Sequence, residues 1–219
     1  MKPPHEETTE ITERTVDMAR ERQMEHYFME TDRAAVEQLA EKYKELVPPE
    51  RVEAIRQQDS IFTSDRELFD SVCEYETGET PEPGSKVLGY SLGVGESPRI
   101  ATDYLEVPRV IYHERLHQLS TPGIETELGR RLDEGITEDL AIENLGAEPL
   151  EGDWGTYPVE RRTAHELRTL CGDAAVESAY FQGDTQALRV CLDRELGPNG
   201  LEQLREGLGD SIEEPESRR

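Results

Sequence analysis

The run His113-Glu114-Arg115-Leu116-His117 sets two imidazoles four residues apart with a carboxylate between them, inside VPRVIYHERLHQLS, a stretch whose pattern predicts a helix. Side chains four apart share one helical face, so both histidines can reach one cation, while Glu114 is rotated toward a water at that cation. Imidazole and carboxylate ligands suit zinc, and a catalytic zinc site keeps one position open. Two histidines leave such a site one protein ligand short. The run Leu132-Asp133-Glu134-Gly135-Ile136-Thr137-Glu138, on a second expected helix, offers two carboxylates four apart. Glu134 is the expected third ligand of one zinc ion. Glu138, one turn on, is the expected acceptor for the ring N–H of a ligand histidine, His113 by preference. Gly135 removes a side chain where helices or metal must approach closely. The plainer reading of the glutamate pair is ordinary solvated helix charge, which a chain this acidic has in abundance.

HERLH followed after a loop by DEGITED resembles the gluzincin branch of the zinc peptidases, in which a glutamate on a second helix completes the ligand set. The resemblance covers roughly residues 86–196. It implies hydrolysis of peptide bonds in a protein or peptide substrate, with Glu114 as general base carrying the proton to the leaving amine. The rival metzincin pattern needs a third histidine soon after the second, and none follows His117 until His165. TYPVERR and AYFQGD are similar to the C-terminal helical portion of small bacterial zinc peptidases and toxin-type peptidase domains. The family often places a tyrosine, histidine or arginine at the developing oxyanion, which makes Tyr157, His165 and Tyr180 the candidates. Tyr157 is preferred, at a loop-to-helix junction where a side chain can project over a cleft; packing beside Trp154 and Pro158 suits it equally. The alternative from another class is a non-catalytic or regulatory binding module on the same scaffold, against which the intact Glu114 argues. A further possibility is an N-terminal half that docks over the cleft as an inhibitory segment.

Helices are expected over residues 8–47 with a break near Thr31-Asp32, over Glu50–Gln58, and over Ser64 to about Glu74 with Ser64 or Asp65 as cap. TGETPEPGS, Thr77–Ser85, is loop by composition and the best internal boundary. From Lys86 to Val107 the pattern becomes β-leaning, the only sheet-like region expected, and Val87–Gly95 is a candidate edge strand for an extended peptide. Pro108 suits the first turn of the histidine helix. Further helices fit Ile124–Asn144 with Gly146 as stop, Val159–Cys171, Asp173 to about Phe181, and Thr185–Leu196. The expected class is α+β: a mainly helical zincin-like domain over 81–208, its small sheet next to the histidine helix. A helical extension over 1–80 precedes it, and a polar tail over 209–219 follows.

Length and composition suit one compact domain with an extension: 219 residues, 34% of them hydrophobic. A formal charge of −25, from 49 acidic against 24 basic residues, argues against nucleic acid or an anionic membrane as partner. Lysine occurs only at positions 2, 42, 44 and 86, an acid-rich, lysine-poor balance like that of salt-adapted proteins. Cys73, Cys171 and Cys191 cannot all pair within one chain, and no disulfide framework is expected. A buried structural role is expected for Cys73, and a packing role for His26. No stretch has signal-peptide or membrane-spanning character, so a cytoplasmic chain is the default expectation.

Overall fold

The computed structural model describes residues 4–78, 88–93, 95–103, 106–146 and 157–209, with side chains of the first helix from residue 20 onward except 21. The fold is α+β and mostly helical. Helices α1 (Pro4–Lys42) and α2 (Pro49–Arg56) lead to strand β1 (Ile61–Thr63) and helix α3 (Arg66–Thr77). Strands β2 (Gly89–Tyr90) and β3 (Arg99–Ala101) precede α4 (Val107–Leu119), α5 (Ile124–Leu128) and α6 (Arg130–Leu145). Then come α7 (Pro158–Cys171), α8 (Asp173–Glu177), a π-helical turn over Ser178–Gln182, α9 (Gln186–Leu196) and α10 (Gly200–Leu208). Much of the loop expected over Thr77–Ser85, Val87 and Val94 of the candidate edge strand, Trp154, and the tail beyond Gly209 lie outside the described residues.

One buried apolar cluster runs from Phe28, Leu39 and Tyr43 of α1 and its exit, through Ile111 and Leu116 of α4, to Leu140 of α6 and Leu192 of α9. The C-terminal half of α1 therefore shares its core with the histidine helix. The expected break at Thr31-Asp32 is absent. Thr31 folds its hydroxyl back onto the Tyr27 carbonyl at 2.9 Å, which a helix tolerates, and Asp32 turns inward as a buried acceptor.

The sheet has the order β1-β3-β2, with β1 parallel to β3 (Phe62 opposite Ile100) and β2 antiparallel to it (Tyr90 opposite Arg99). The sheet-like region is thus wider than the Lys86–Val107 stretch expected to hold all of it: β1, three residues long, is too short to display an alternation. Asp65 caps α3, accepting from Leu68 N at 3.1 Å. The expected single helix over Ile124–Asn144 is two, because Gly129 adopts φ 87° and ψ 143°, a conformation that closes α5 and redirects the chain into α6. The expected helix from Asp173 widens into the π-turn, from which the Tyr180 carbonyl accepts Thr121 N at 2.9 Å. α10 has no counterpart among the expected elements.

Contrary to expectation there is a disulfide, joining Cys171 at the end of α7 to Cys191 on α9. An odd cysteine count leaves room for one pair, and 20 residues of separation carry no sign of it until α7 and α9 pack side by side. Cys73 is buried in α3. His26, expected to pack, is exposed and pairs with Glu30 at 3.3 Å. No helix among the described residues is long and apolar enough to cross a membrane.

Candidate metal centre

Helix α4 carries Arg109, His113 and His117 one turn apart, and helix α6 carries Asp133, Glu134 and Glu138 facing them. The contacts run in opposite order along the two helices, so the pair is antiparallel: Arg109 meets Glu138, His113 meets Glu138 and Glu134, and His117 meets Glu134 and Asp133. A close crossing of α6 by α7 supports this face. An added Cβ on Gly135 would lie 2.3 Å from the Glu160 carbonyl oxygen, so only glycine lets the first turn of α7 rest there.

Three candidate ligand atoms converge. His113 Nε2 lies 3.1 Å from His117 Nε2 and 3.2 Å from Glu134 Oε2, and His117 Nε2 lies 3.6 Å from that oxygen. Ligands held tetrahedrally at about 2.0–2.1 Å from a zinc ion stand about 3.3 Å from one another, so this triangle has the size of one face of that tetrahedron. The donor set fits the same ion. Among the described residues, His113, His117 and Glu134 are the group that could hold a metal.

Charge at this point is biased toward a cation. Burial opposes ionisation of Glu134, but the neighbouring His113 and His117 more than offset it and hold the carboxyl well below the usual carboxylate range. Burial likewise opposes protonation of the imidazoles, and Glu134 overcomes it at both, with Glu138 adding to the effect at His113. A spot that draws protons onto two histidines beside an ionised carboxylate is one that stabilises positive charge.

Each histidine has a carboxylate behind it. Glu138 Oε2 lies 3.1 Å from His113 Nδ1, the partner expected from the sequence, and Asp133 Oδ2 lies 3.8 Å from His117 Nδ1. Burial pushes the Asp133 carboxyl up to about 6, with the His117 charge pulling the other way. Glu114 is buried beside the cluster, its carboxyl pushed up by burial against the pull of both histidines. It lies under the backbone of β2: an added Cβ on Gly89 would come within 2.8 Å of Glu114 Oε1 and 2.7 Å of Val110 Cγ1.

Tyr157 immediately precedes α7, with its ring stacked on His113 at 6.0 Å between centroids and 14° between planes. Burial first, then the charges of Glu134 and Glu114, hold its hydroxyl above the usual phenol range. The other two oxyanion candidates lie elsewhere. His165 is on the exposed side of α7, 3.5 Å from Asp139, and Tyr180 is buried with its hydroxyl 2.7 Å from Thr137 Oγ1.

Four residues around the site have no place in it by their sequence pattern: Arg109, Asp133, Asp32 and Gly89. Arg109 stands four before His113, at the spacing that links His113 to His117, and that spacing is the signal that could have found it. Asp32 is 83 residues from its partner Arg115 and gives none.

No protein-family model matches the chain, and no curated protein or solved structure is significantly similar to it.

Proposed function

We propose that this protein is a zinc-dependent peptidase of gluzincin type, in which His113, His117 and Glu134 hold the ion and Glu114 is the general base. The observation that carries the reading is the triangle of His113 Nε2, His117 Nε2 and Glu134 Oε2, with sides of 3.1, 3.2 and 3.6 Å. When bound there, a zinc ion supplies Lewis-acid polarisation of a carbonyl and lowers the pKa of a water molecule. The protein's own groups do the rest. Glu114, made the more basic by burial, is suited as a carboxylate to take a proton from the attacking water and hand it to the departing amine. The Tyr157 hydroxyl, beside Glu134 and next to the His113 ring, can donate to the carbonyl oxygen as that oxygen gains charge. Glu138 orients His113 through Nδ1, leaving Nε2 directed at the triangle. The substrate is a protein or peptide; the edge position of β2, passing over Glu114, is consistent with an extended chain laid beside it.

The test is elemental analysis of wild type, Glu134→Ala and Glu114→Gln beside cleavage of a denatured protein mixture. One zinc per chain in wild type, weakened in Glu134→Ala and retained without cleavage in Glu114→Gln, is the expected result. Zinc retained without cleavage by wild type would favour a non-catalytic binding module, and no zinc after reconstitution would remove the metal reading altogether. On compartment, the sequence suggests the cytoplasm, whereas the Cys171–Cys191 bond favours an oxidising setting. Thiol titration of protein isolated without reductant decides between them.

A further inference from the structure

We infer that Arg109 is a positioning residue of the metal centre, acting through Glu138 to hold His113 in the orientation that ligation needs; the inference rests on the zinc reading above. Glu138 is almost wholly buried and has two oxygens to satisfy. Oε2 faces His113 Nδ1 at 3.1 Å, and Oε1 accepts from Arg109 Nη1. The second nitrogen of the Arg109 fork, Nη2, reaches Glu106 Oε2 at 2.5 Å, at the solvent-facing start of α4. Arg109 is itself buried, with a side-chain exposure of 9%. The guanidinium thus spans two carboxylates, one of which touches the histidine.

The consequence is geometric. A glutamate side chain has three rotatable bonds, and a single contact to an imidazole leaves its carboxylate free to rotate about the last of them. Pinning Oε1 to a planar fork on the neighbouring helix removes that freedom and directs Oε2 at Nδ1. The imidazole plane is then fixed from behind. Tyr157 stacks on one of its faces, so that Nε2 is aimed at His117 Nε2 and Glu134 Oε2. Substitution of groups standing behind metal-ligating histidines costs about 10- to 100-fold in metal affinity.

The experiment is zinc affinity by chelator competition on the full chain, with cobalt substitution as a spectroscopic report on the ligand set. The proteins are wild type, Arg109→Met, Arg109→Lys, Glu138→Gln and the double variant Arg109→Met with Glu138→Gln. Arg109→Met is expected to weaken zinc by about 10- to 100-fold and to alter the cobalt visible bands. Arg109→Lys should recover part of the loss, since an ammonium keeps the charge but not the fork. The double variant should bind no worse than Glu138→Gln, because both changes break the same link. Arg109→Met at wild-type affinity, or losses that multiply in the double variant, would overturn the inference and leave the zinc site standing. Wild type without zinc overturns both. Should Arg109→Met fail to fold, a cycle built on Arg109→Lys and Glu138→Gln answers the same question.

Discussion

Arg115 and Asp32 form a two-pronged ion pair in the interior, Nε to Oδ1 at 2.8 Å and Nη2 to Oδ2 at 2.6 Å, across 83 residues of chain. Arg115 lies between the two histidines in sequence and on the opposite face of α4, fully buried. Its remaining donors reach the Gln58 carbonyl and Gln118 Oε1, and Gln118 reaches on to the Glu96 carbonyl. Asp32 Oδ2 also accepts the Ser60 backbone N–H at 2.9 Å. The back of the histidine helix is therefore tied to α1 and to the stretches flanking β1 and β3 by one polar network.

Breaking that pair from one side leaves a buried charge without its partner. Asp32→Ala is expected to cost about 3–5 kcal/mol, whereas Asp32→Leu with Arg115→Leu, which removes both charges, should cost much less. Urea unfolding of the three proteins checks this, and equal losses in single and double variants would argue against it. By the same logic, a chain lacking residues 1–80 should lose stability and cleavage rather than gain activity, the opposite of what an inhibitory segment predicts.

Gly89→Ala should separate metal binding from catalysis. The new methyl group would press on Glu114 and Val110. Zinc content should stay at the wild-type level while kcat/KM falls by about 10- to 100-fold, part of the contribution a general base makes. A fall in zinc affinity of the same size would mean that the strand supports the ligands instead.

At Gly135 the neighbour is backbone. A Cβ 2.3 Å from the Glu160 oxygen cannot be absorbed by a side-chain rotation, so α7 must shift and carry Tyr157 with it. Gly135→Ala is expected to destabilise by about 1–3 kcal/mol, the usual cost of overpacking. Its cleavage should also drop to that of Tyr157→Phe. Thermal melts together with kcat for the two variants test the link; a Gly135→Ala protein that melts as wild type does would break it.

Glu76 provides a pH-dependent tie. Its carboxylate accepts from Arg99 on β3 and, at 2.7 Å, from the Tyr90 hydroxyl on β2, which docks α3 on the sheet. The hydrogen bond from Arg99 lowers its pKa, with burial opposing and Tyr90 assisting. A carboxyl lowered in the folded state stabilises above its unfolded value of about 4.3 and loses that contribution as pH falls through the folded value. Glu76→Gln should thus be less stable than wild type at pH 7, with the gap closing below about pH 4. A gap independent of pH would mean that the carboxylate charge contributes nothing.

The positions of His113, His117, Glu134 and Glu138 are legible in the sequence because each pair is separated by one helical turn, and a helix converts that spacing into a shared face. Arg109 obeys the same rule but belongs to a residue type seldom read as part of a metal centre. Asp32 is invisible for a different reason: in the sequence it is one acidic residue among 49, and only the crossing of α1 behind α4 distinguishes it. Gly129 is likewise silent, since an isolated glycine within a helical pattern is tolerated and does not by itself mark a break. The disulfide and β1 depend on neighbours that no local pattern announces. Two glycines are legible: Gly146, the expected stop, which closes α6 in the left-handed conformation, and Gly135, whose position between two carboxylates points to a close approach that Glu160 makes.

The three proposed ligands and Glu138 all come from residues 113–138, contributed by two helices joined through α5. Chain segments this close in sequence meet at small loop-closure cost, and local contacts form early in folding. The triangle can therefore assemble before the distant pieces, Asp32 from one side and Tyr157 from the other, arrive. A cation captured at that stage would staple α4 to α6 and act as a folding nucleus, so that refolding in the presence of zinc would run faster and not merely further toward completion.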